Sequence, residues 1–282
     1  MSKIKVSELF YSIQGEGRYM GVPSVFLRTF GCNFKCAGFG MPKGLVSVER
    51  DKIKAEDYVD YKSLPLVSTG CDSYASWDPR FKHLSPVLDT DDIVSSIMDL
   101  LPNNSWMDEH LVITGGEPLL GWQRSYPDLL NHPQMKELSE ITFETNGTQK
   151  LDEKFKESIF EWLRWYVRSP KEITFSVSPK LSVSGESWEE AIQPDIIVDY
   201  QSVGYTYLKF VVTGAHDTEE IQEAVNEYRI AGFTGPVYLM PVGGVENVYS
   251  MHNRQVAELA MKLGYRYSDR LQVPLFKNAW GT

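Results

Sequence analysis

The stretch 24-SVFLRTFGCNFKC-36 indicates the fold class of this chain, because an apolar run leads directly into a loop that carries two cysteines. The run 24–30 is rich in β-branched and aromatic residues, as buried strands are. Cys32 and Cys36 follow at once, in a loop that opens on Gly31. Ligands in α/β proteins gather at the carboxyl ends of strands, so this junction predicts a binding site.

The rest of the chain continues this pattern. From residue 85 onward, β-branched runs alternate with segments of helical periodicity, which predicts an α/β fold with parallel strands and helical crossovers. The predicted strands are 24–30, 110–114, 139–145, 172–178, 195–199, 206–212, 237–242 and 266–273. The predicted helices are 89–101, then 217–232 with a capping box of Asp217 and Glu220, then 250–264 with a serine cap.

Length and charge limit the class of protein. A chain of 282 residues can be one domain with insertions. Its 28 Lys and Arg against 38 Asp and Glu give a formal charge of -10, which disfavours broad binding to nucleic acid. The sequence has no secretory signal or membrane-spanning run, so we expect a cytoplasmic protein. In a reducing compartment, 3 cysteines indicate metal ligation, a nucleophile or core packing rather than disulfides.

Small and polar residues follow three of the predicted strands, in 114-TGGEPL-119, 144-ETNGT-148 and 176-SVSPK-180. The glycine pair lets backbone approach a ligand, although a tight turn is the commoner reason for such a pair. Glu117 adds a carboxylate suited to an ammonium group. Without other signals, however, a glutamate is usually an exposed surface residue. The charged stretch 48–62 indicates solvated surface.

Two polar side chains near the amino terminus are candidates for binding a ligand. Gln14, in the glycine-rich opening 10-FYSIQGEGRYMGVPS-24, carries an amide that can read the edge of a heterocycle. Arg28 interrupts an apolar strand, so it is either paired structurally or placed for an anion, and its planar fork suits a carboxylate.

The third cysteine is Cys71, in 69-TGCDSYASWD-78, and 34 residues separate it from Cys36. An iron–sulfur cubane held by three thiolates leaves one iron open for S-adenosylmethionine. Widening the gap between the second and third cysteines from 2 to 34 residues costs about 2 to 3 kcal/mol in loop-closure entropy. Metal binding at structural sites contributes roughly 10 kcal/mol or more, which outweighs this cost. The separation therefore allows Cys71 to complete a cluster.

In chain order, SIQGEG, F-x-R-x-x-G-C-N, 71-CDSYA-75, TGGEP, ETNG and SPK resemble the 7-carboxy-7-deazaguanine synthase family, radical S-adenosylmethionine enzymes of the queuosine pathway. The resemblance implies one radical SAM domain over 1–282, a partial (β/α) TIM-like barrel with an insertion at 37–70 between the second and third cluster cysteines. Two departures stand beside Cys71, since Gly70 replaces the usual tryptophan and Ser73 the usual threonine.

The reaction that the resemblance implies is that of a carbon–nitrogen lyase. A reduced [4Fe-4S] cluster cleaves S-adenosyl-L-methionine to a 5′-deoxyadenosyl radical, which abstracts hydrogen from 6-carboxy-5,6,7,8-tetrahydropterin. The ring then contracts with loss of ammonia to give 7-carboxy-7-deazaguanine. Mg2+ assists in the family, a reducing donor such as flavodoxin supplies the electron, and homodimers are common. No direct contact with nucleic acid or a membrane is implied.

The resemblance also assigns site residues position by position. The cluster ligands are Cys32, Cys36 and Cys71, and Ser73 stands at the Mg2+ position. The implied S-adenosylmethionine contacts are Gly116, Glu117, Ser178 and Lys180. The implied substrate contacts are Ile13, Gln14, Gly15, Arg28, Thr114 and Thr282.

Two other readings of the chain stay open on sequence grounds. Another radical S-adenosylmethionine enzyme, such as a glycyl-radical activase, would share the cluster but has no use for SIQGEG or Arg28. A non-catalytic binding protein on the same fold would make Cys71 a buried apolar thiol, which is common for isolated cysteines. That reading leaves the following 72-DSYA-75 unexplained. Zinc is disfavoured, because no histidine or fourth cysteine lies at ligand spacing.

Overall fold

The computed structural model describes residues 2–165 and 170–282. Its strands are β1 (Lys3–Ile13), β2 (Pro23–Thr29), β3 (Val87–Asp89), β4 (His110–Gly115), β5 (Glu140–Thr145), β6 (Glu172–Val177), β7 (Tyr205–Val212), β8 (Val237–Pro241) and β9 (Arg266–Tyr267). Its α-helices are α1 (Thr90–Leu100), α2 (Tyr126–Leu130), α3 (Glu153–Leu163), α4 (Trp188–Ala191), α5 (Pro194–Val203), α6 (Thr218–Ala231), α7 (Glu246–Leu263) and α8 (Gln272–Phe276).

The strands form one mixed sheet in the order β3-β1-β2-β4-β5-β6-β7-β8-β9. β1 is antiparallel to β2 and β3, and every pair from β2 to β9 is parallel. The predicted α/β class with parallel strands is confirmed, and an open sheet of this kind is consistent with a partial barrel. In the described ranges, no helix is both long and apolar enough to cross a membrane.

Burial explains why the predicted strands and the first helix form where they do. Every residue of β4 is buried, as expected for a strand covered on both faces. In α1, Ile93 and Ile97 are buried on one face, and the Asp89 carboxylate caps the helix by accepting a hydrogen bond from the Asp92 amide at 3.0 Å. Gly264 closes α7 with φ 71, as its sequence predicts.

Two predicted strands are wrong. The run 195–199 lies inside helix α5, because Pro194 occupies the first helical turn and Ile196, Ile197 and Tyr200 bury one helical face. A short apolar run fits either element by periodicity alone. Of 266–273, only Arg266–Tyr267 forms a strand, and the chain then turns into α8.

The predicted helix caps are also corrected. Asp217 accepts hydrogen bonds from the amides of Thr213 and Gly214, so it stabilises the turn before α6 instead of forming the predicted capping box with Glu220. The Glu220 carboxylate binds the amide and hydroxyl of Ser182 in a distant loop. Helix α7 begins at Glu246, before the serine at which the sequence predicted its start.

The segment 37–70 contains three short 3₁₀ turns and neither a strand nor an α-helix. Few of its residues are buried, but Tyr61, Leu64 and Val67 pack with Tyr74 and Phe81 in an apolar cluster separate from the main core. The solvated surface predicted for 48–62 is therefore correct only in part, since this segment has a small core of its own.

Candidate active site

A cavity of about 250 Å³ lies on one face of the sheet and reaches the carboxyl ends of the parallel strands. The loop after β1 crosses this face, because the amide of Gly17 donates to the Ser268 hydroxyl and Lys209 of β7 binds Glu16. Gly17 has φ 67 and a Cβ there would lie 2.2 Å from the Tyr207 hydroxyl, so only glycine fits. The predicted site residues that line the cavity are Ile13, Gln14, Gly15, Arg28, Cys32, Cys36, Cys71, Ser73, Thr114, Gly116, Ser178, Lys180 and Thr282.

The three cysteines come together in one apolar cluster. Cys36 is buried with Phe34 and Ala191, and Cys32 and Cys71 pack against the same cluster. All three thiols are free. Cys36 adopts φ 48, and its amide donates to Glu186 Oε1 at 2.6 Å, which joins the cysteine loop to the loop between β6 and α4.

Backbone contacts explain how the chain returns from 37–70 to the first two cysteines. The Gly70 amide donates to the Phe39 carbonyl at 2.7 Å, and the Ser47 amide donates to the Ala37 carbonyl at 2.7 Å. The segment therefore leaves and re-enters at neighbouring points. Cys71 lies beside Cys36 for this reason, despite their separation in sequence.

The thiol environment fits an iron–sulfur cluster. Burial raises the pKa of Cys32 to about 12 and also raises the pKa of Cys36 and Cys71, so the thiols need a bound cation to become thiolates. In the described part of the chain, no three His, Cys, Asp or Glu side chains are close enough for a single ion. In a cubane each thiolate binds a different iron, so convergence on one point is not required.

Gly116 brings the loop after β4 against the first cysteine. A Cβ at this position would lie 2.4 Å from the Gly31 carbonyl oxygen and 2.7 Å from the Cys32 Cβ. The missing side chain therefore allows two ligand-bearing loops to touch.

Glu117 does not line the cavity and is fully buried. Its carboxylate accepts hydrogen bonds from the Asn146 amide at 2.7 Å, the Thr145 hydroxyl at 2.8 Å and the Leu119 amide at 3.0 Å. Burial raises the pKa of Glu117, and these donors oppose the shift. The carboxylate thus joins the loops after β4 and β5 and is not directed at an ammonium group in the cavity. A role for this residue in cofactor binding stays a prediction.

Polar groups from the neighbouring loops face the cysteines. Lys180 Nζ donates to the Ser178 hydroxyl at 3.0 Å, which leaves a cation at the cavity wall. Asn146 also lines the cavity, and its amide donates to Asn33 in the cysteine loop at 2.9 Å. These residues offer both charge and hydrogen bonds to a small zwitterion.

Arg28 stands opposite Thr114 across the parallel pair of β2 and β4. Its Nε donates to Glu8 Oε2 at 2.9 Å, and among the described residues the two Nη atoms have no protein partner. Burial raises the pKa of Glu8, against the effect of Arg28. The guanidinium is therefore oriented by one edge and presents the other to the cavity.

Gln14 is almost completely buried, and both ends of its amide are bound. The nitrogen donates to Glu144 at 3.0 Å, and the oxygen accepts from the Glu16 amide at 3.0 Å. One N–H remains for a ligand. The structure thus makes Gln14 a link between the first loop and β5 as well as a cavity wall.

Sequence reasoning did not assign six charged side chains that line the cavity, which are Glu8, Glu16, Asp72, Glu144, Lys209 and Arg270. Lys209 and Arg270 both bind Glu16, and Arg270 also binds Asp72, the residue after the third cysteine. Lys209 interrupts an apolar strand in the way that Arg28 does, and this signal could have identified it. Arg270 lay in a predicted strand that the chain does not form.

The fold and the site together define a class of α/β protein: a parallel sheet whose cavity collects three free cysteines and an arginine with one edge facing the cavity. None of the family models compared with the chain matches it. It is 31% identical to a 7-carboxy-7-deazaguanine synthase of Halobacterium salinarum, over 98% of this chain and 91% of that protein. It is 27% identical to that of Pyrobaculum aerophilum, over 99% of this chain and 97% of that protein.

A solved structure shows the same fold. The crystal structure of QueE from Escherichia coli superposes with a TM-score of 0.54 at 20% identity, over 95% of this chain and 94% of that one. The chain belongs to the 7-carboxy-7-deazaguanine synthase family, which confirms the resemblance of its motifs.

Proposed function

We propose that this chain is a radical S-adenosylmethionine carbon–nitrogen lyase that converts 6-carboxy-5,6,7,8-tetrahydropterin to 7-carboxy-7-deazaguanine with loss of ammonia. Membership of the synthase family supports this activity. The observation that carries it is the position of Cys71, which lines the same cavity as Cys32, Cys36 and Arg28. The three candidate cluster ligands and a side chain suited to an anion thus face one cavity.

Cys32, Cys36 and Cys71 would hold a [4Fe-4S] cluster. When bound, the reduced cluster supplies the electron that cleaves S-adenosylmethionine to methionine and a 5′-deoxyadenosyl radical. The protein's part is to fix the thiols. Glu186 binds the backbone of the cysteine loop, and the bond between Gly70 and Phe39 places the third thiol.

Lys180, Ser178 and Gly116 are suited to the methionine part of the cofactor. The Lys180 cation complements a carboxylate, and the close approach at Gly116 leaves backbone groups accessible at the cluster edge. Asn146 adds an amide to the same wall.

Arg28 would bind the carboxylate of the pterin through the edge that Glu8 leaves open, and Gln14 would contact the ring with its remaining N–H. Ile13, Gly15, Thr114 and the terminal Thr282 line the same space. The loop after β1, which crosses this face of the sheet, would limit the access of water to a radical intermediate.

Ser73 would contribute its hydroxyl to the magnesium ion that the family implies. Mg2+ keeps several waters and takes its other oxygens from carboxylates or from the substrate. The Ser73 hydroxyl lines the cavity, 3.4 Å from Cys71 Sγ, whereas the carboxylates of Glu16 and Asp72 are ion-paired with Arg270. No step of the proposed reaction is routed through this ion.

The same proposal assigns the whole of 1–282 to one radical SAM domain, with 37–70 as an insertion in its cluster-binding loop. An electron donor such as flavodoxin would reduce the cluster from outside. Phe39 of this segment packs against the cysteine cluster, and the Gly38 amide donates to the Ser184 carbonyl at 2.8 Å, which supports a role in covering the cluster.

Product analysis under anaerobic reducing conditions tests the proposed activity. Reconstituted enzyme, S-adenosylmethionine and 6-carboxytetrahydropterin should give 5′-deoxyadenosine and 7-carboxy-7-deazaguanine together. A Cys71→Ala variant serves as the control and should give neither. Cofactor cleavage without the deazaguanine would assign the chain to another reaction of the same chemistry.

A further inference from the structure

We propose that Glu186 is a positioning residue of the cluster site: it holds the backbone at Cys36 and, through its negative charge, keeps the reduction potential of a bound cluster low. The inference deepens the proposed function and rests on it, because it concerns the cluster that Cys32, Cys36 and Cys71 would hold. Glu186 itself lies outside the motifs that carry the family resemblance.

The first support is the direction of three consecutive amides in the cysteine loop. The Phe34 amide donates to Cys32 Sγ at 3.4 Å. The next two amides, of Lys35 and Cys36, donate to Glu186 Oε1 at 2.9 Å and 2.6 Å. Cys36 adopts φ 48, a left-handed conformation that residues other than glycine rarely occupy, so the backbone here needs support from outside the loop. One carboxylate oxygen supplies that support at the second thiol.

The second support is that Glu186 extends from a well-fixed loop between β6 and α4. Its amide donates to the Ser184 hydroxyl at 3.2 Å, and that hydroxyl donates to the Leu181 carbonyl at 2.7 Å. Ser184 is fully buried, and its carbonyl accepts from the Gly38 amide at 2.8 Å. The chain is therefore bound to this loop both at Cys36 and two residues after it.

The third support is charge. Lys180, on the same loop, lines the cavity, whereas Glu186 does not, so the carboxylate contacts the backbone of the cysteine loop and not a ligand in the cavity. Burial is the main cause that raises the pKa of the Cys36 thiol; the Lys180 ammonium opposes this rise, and the Glu186 carboxylate adds to it. Glu186 therefore makes negative charge less favourable at this sulfur.

The consequence concerns the electron that cleaves S-adenosylmethionine. A reduced cluster carries one more negative charge than an oxidised one, so a carboxylate beside one of its ligands disfavours reduction. Glu186 also binds two amides whose N–H groups would raise the potential if they faced sulfur. A lower potential makes the reduced cluster a stronger donor of one electron to the sulfonium. That electron breaks the bond between sulfur and C5′, which gives methionine and the 5′-deoxyadenosyl radical and leaves the cluster oxidised.

A redox titration of the reconstituted enzyme, followed by electron paramagnetic resonance, tests the role of the charge. Glu186→Gln keeps an oxygen that can accept from both amides but loses the charge, so its iron content should match wild type. Its reduction equilibrium should shift at least about tenfold towards the reduced form, which is about 59 mV for one electron. Glu189→Gln removes an exposed charge three residues away and should leave the potential unchanged. A wild-type potential in fully loaded Glu186→Gln would overturn the proposal.

Amide hydrogen exchange in the cluster-free protein tests the positioning role without any cofactor. In Glu186→Ala the amides of Lys35 and Cys36 lose their acceptor and should exchange at least about tenfold faster than in wild type, while Glu186→Gln should stay close to wild type. Unchanged exchange in a folded Glu186→Ala variant would contradict the proposal. If wild type gives no deazaguanine, the proposed activity fails, and the exchange rates and the potential still decide the role of Glu186.

Discussion

Arg28 Nε donates to Glu8 Oε2 at 2.9 Å, and this pair forms one wall of the cavity that holds the three cysteines. The strand positions of both residues are paired across the antiparallel β1 and β2. Glu8 therefore orients the guanidinium, while the other edge of Arg28 faces the cavity, where we propose that it binds the substrate carboxylate. This relationship makes substrate binding separable from cluster binding.

Replacing Arg28 with lysine should weaken substrate binding and leave the cluster intact. Lysine keeps the charge but lacks the planar guanidinium, which can bind Glu8 through one edge and a substrate carboxylate through the other. The KM for the pterin should therefore rise about tenfold or more. Iron content and KM measure the two effects. Arg254→Lys, at an exposed pair with Glu258, is the control. Loss of iron in Arg28→Lys would mark Arg28 as structural.

Gly116→Ala should disturb the cluster site through one added methyl group. The new Cβ would meet the Gly31 carbonyl oxygen and the Cys32 Cβ at well below contact distance, so the cysteine loop must move. We expect lower iron content after reconstitution, measured by iron analysis and absorbance. Gly121→Ala controls for backbone strain, because Gly121 has φ 80 but open space around its Cα. Equal iron content in Gly116→Ala and wild type would refute the argument.

Glu16→Gln should destabilise the fold in a pH-dependent way. Burial alone would raise the pKa of Glu16, but Lys209 and Arg270 outweigh it and lower the pKa to about 2. The lowered pKa means that the carboxylate stabilises the fold above about pH 4.5 and loses this effect as the pH falls towards 2. Removing one partner of a buried pair costs about 3 to 5 kcal/mol.

Denaturant unfolding of wild type and Glu16→Gln from pH 7 to pH 3 measures this difference. The difference in unfolding free energy should be largest at neutral pH and should shrink below about pH 4.5. Glu258→Gln, which removes an exposed partner, should show little effect at any pH. A Glu16→Gln difference that stays constant down to pH 3 would show that the ion pairs do not stabilise the fold.

Trp280 should hold the segment 37–70 in place from the far end of the chain. Its ring lies 5.6 Å from that of Tyr61 and 5.5 Å from that of Tyr74, centroid to centroid. Trp280→Ala should cost about 2 kcal/mol, because the residue is only partly buried, and should raise hydrogen exchange in 55–67. Trp165→Ala, at an exposed tryptophan, is the control. Unchanged exchange in 55–67 would show that the segment is held by other contacts.

The strands that carry the site could be predicted from the sequence because their burial leaves a strong signal. β4, β5 and β6 are apolar runs that end in small or polar residues, and each lies where it was predicted. The run 195–199 could not be assigned in the same way, since its apolar residues fit one face of a helix as well as a strand.

The ion network around Arg270 could not be predicted, because its partners are distant in sequence. Glu16 and Asp72 lie 254 and 198 positions away from it. Their pairing depends on how the loop after β1 crosses the sheet, and no local sequence pattern indicates the path of this loop. The meeting of the three cysteines in one cluster was easier to predict, since a chain with 3 cysteines has one choice for a third thiolate.

The iron content of Cys71→Ala tests the central claim most directly. Wild-type enzyme reconstituted without oxygen should bind about four irons per chain and show cluster absorbance. Cys71→Ala should bind far less iron and cleave no S-adenosylmethionine, while Ser73→Ala, two residues away, should keep its iron. A full and stable cluster in Cys71→Ala would contradict the account, because the third ligand would then lie elsewhere.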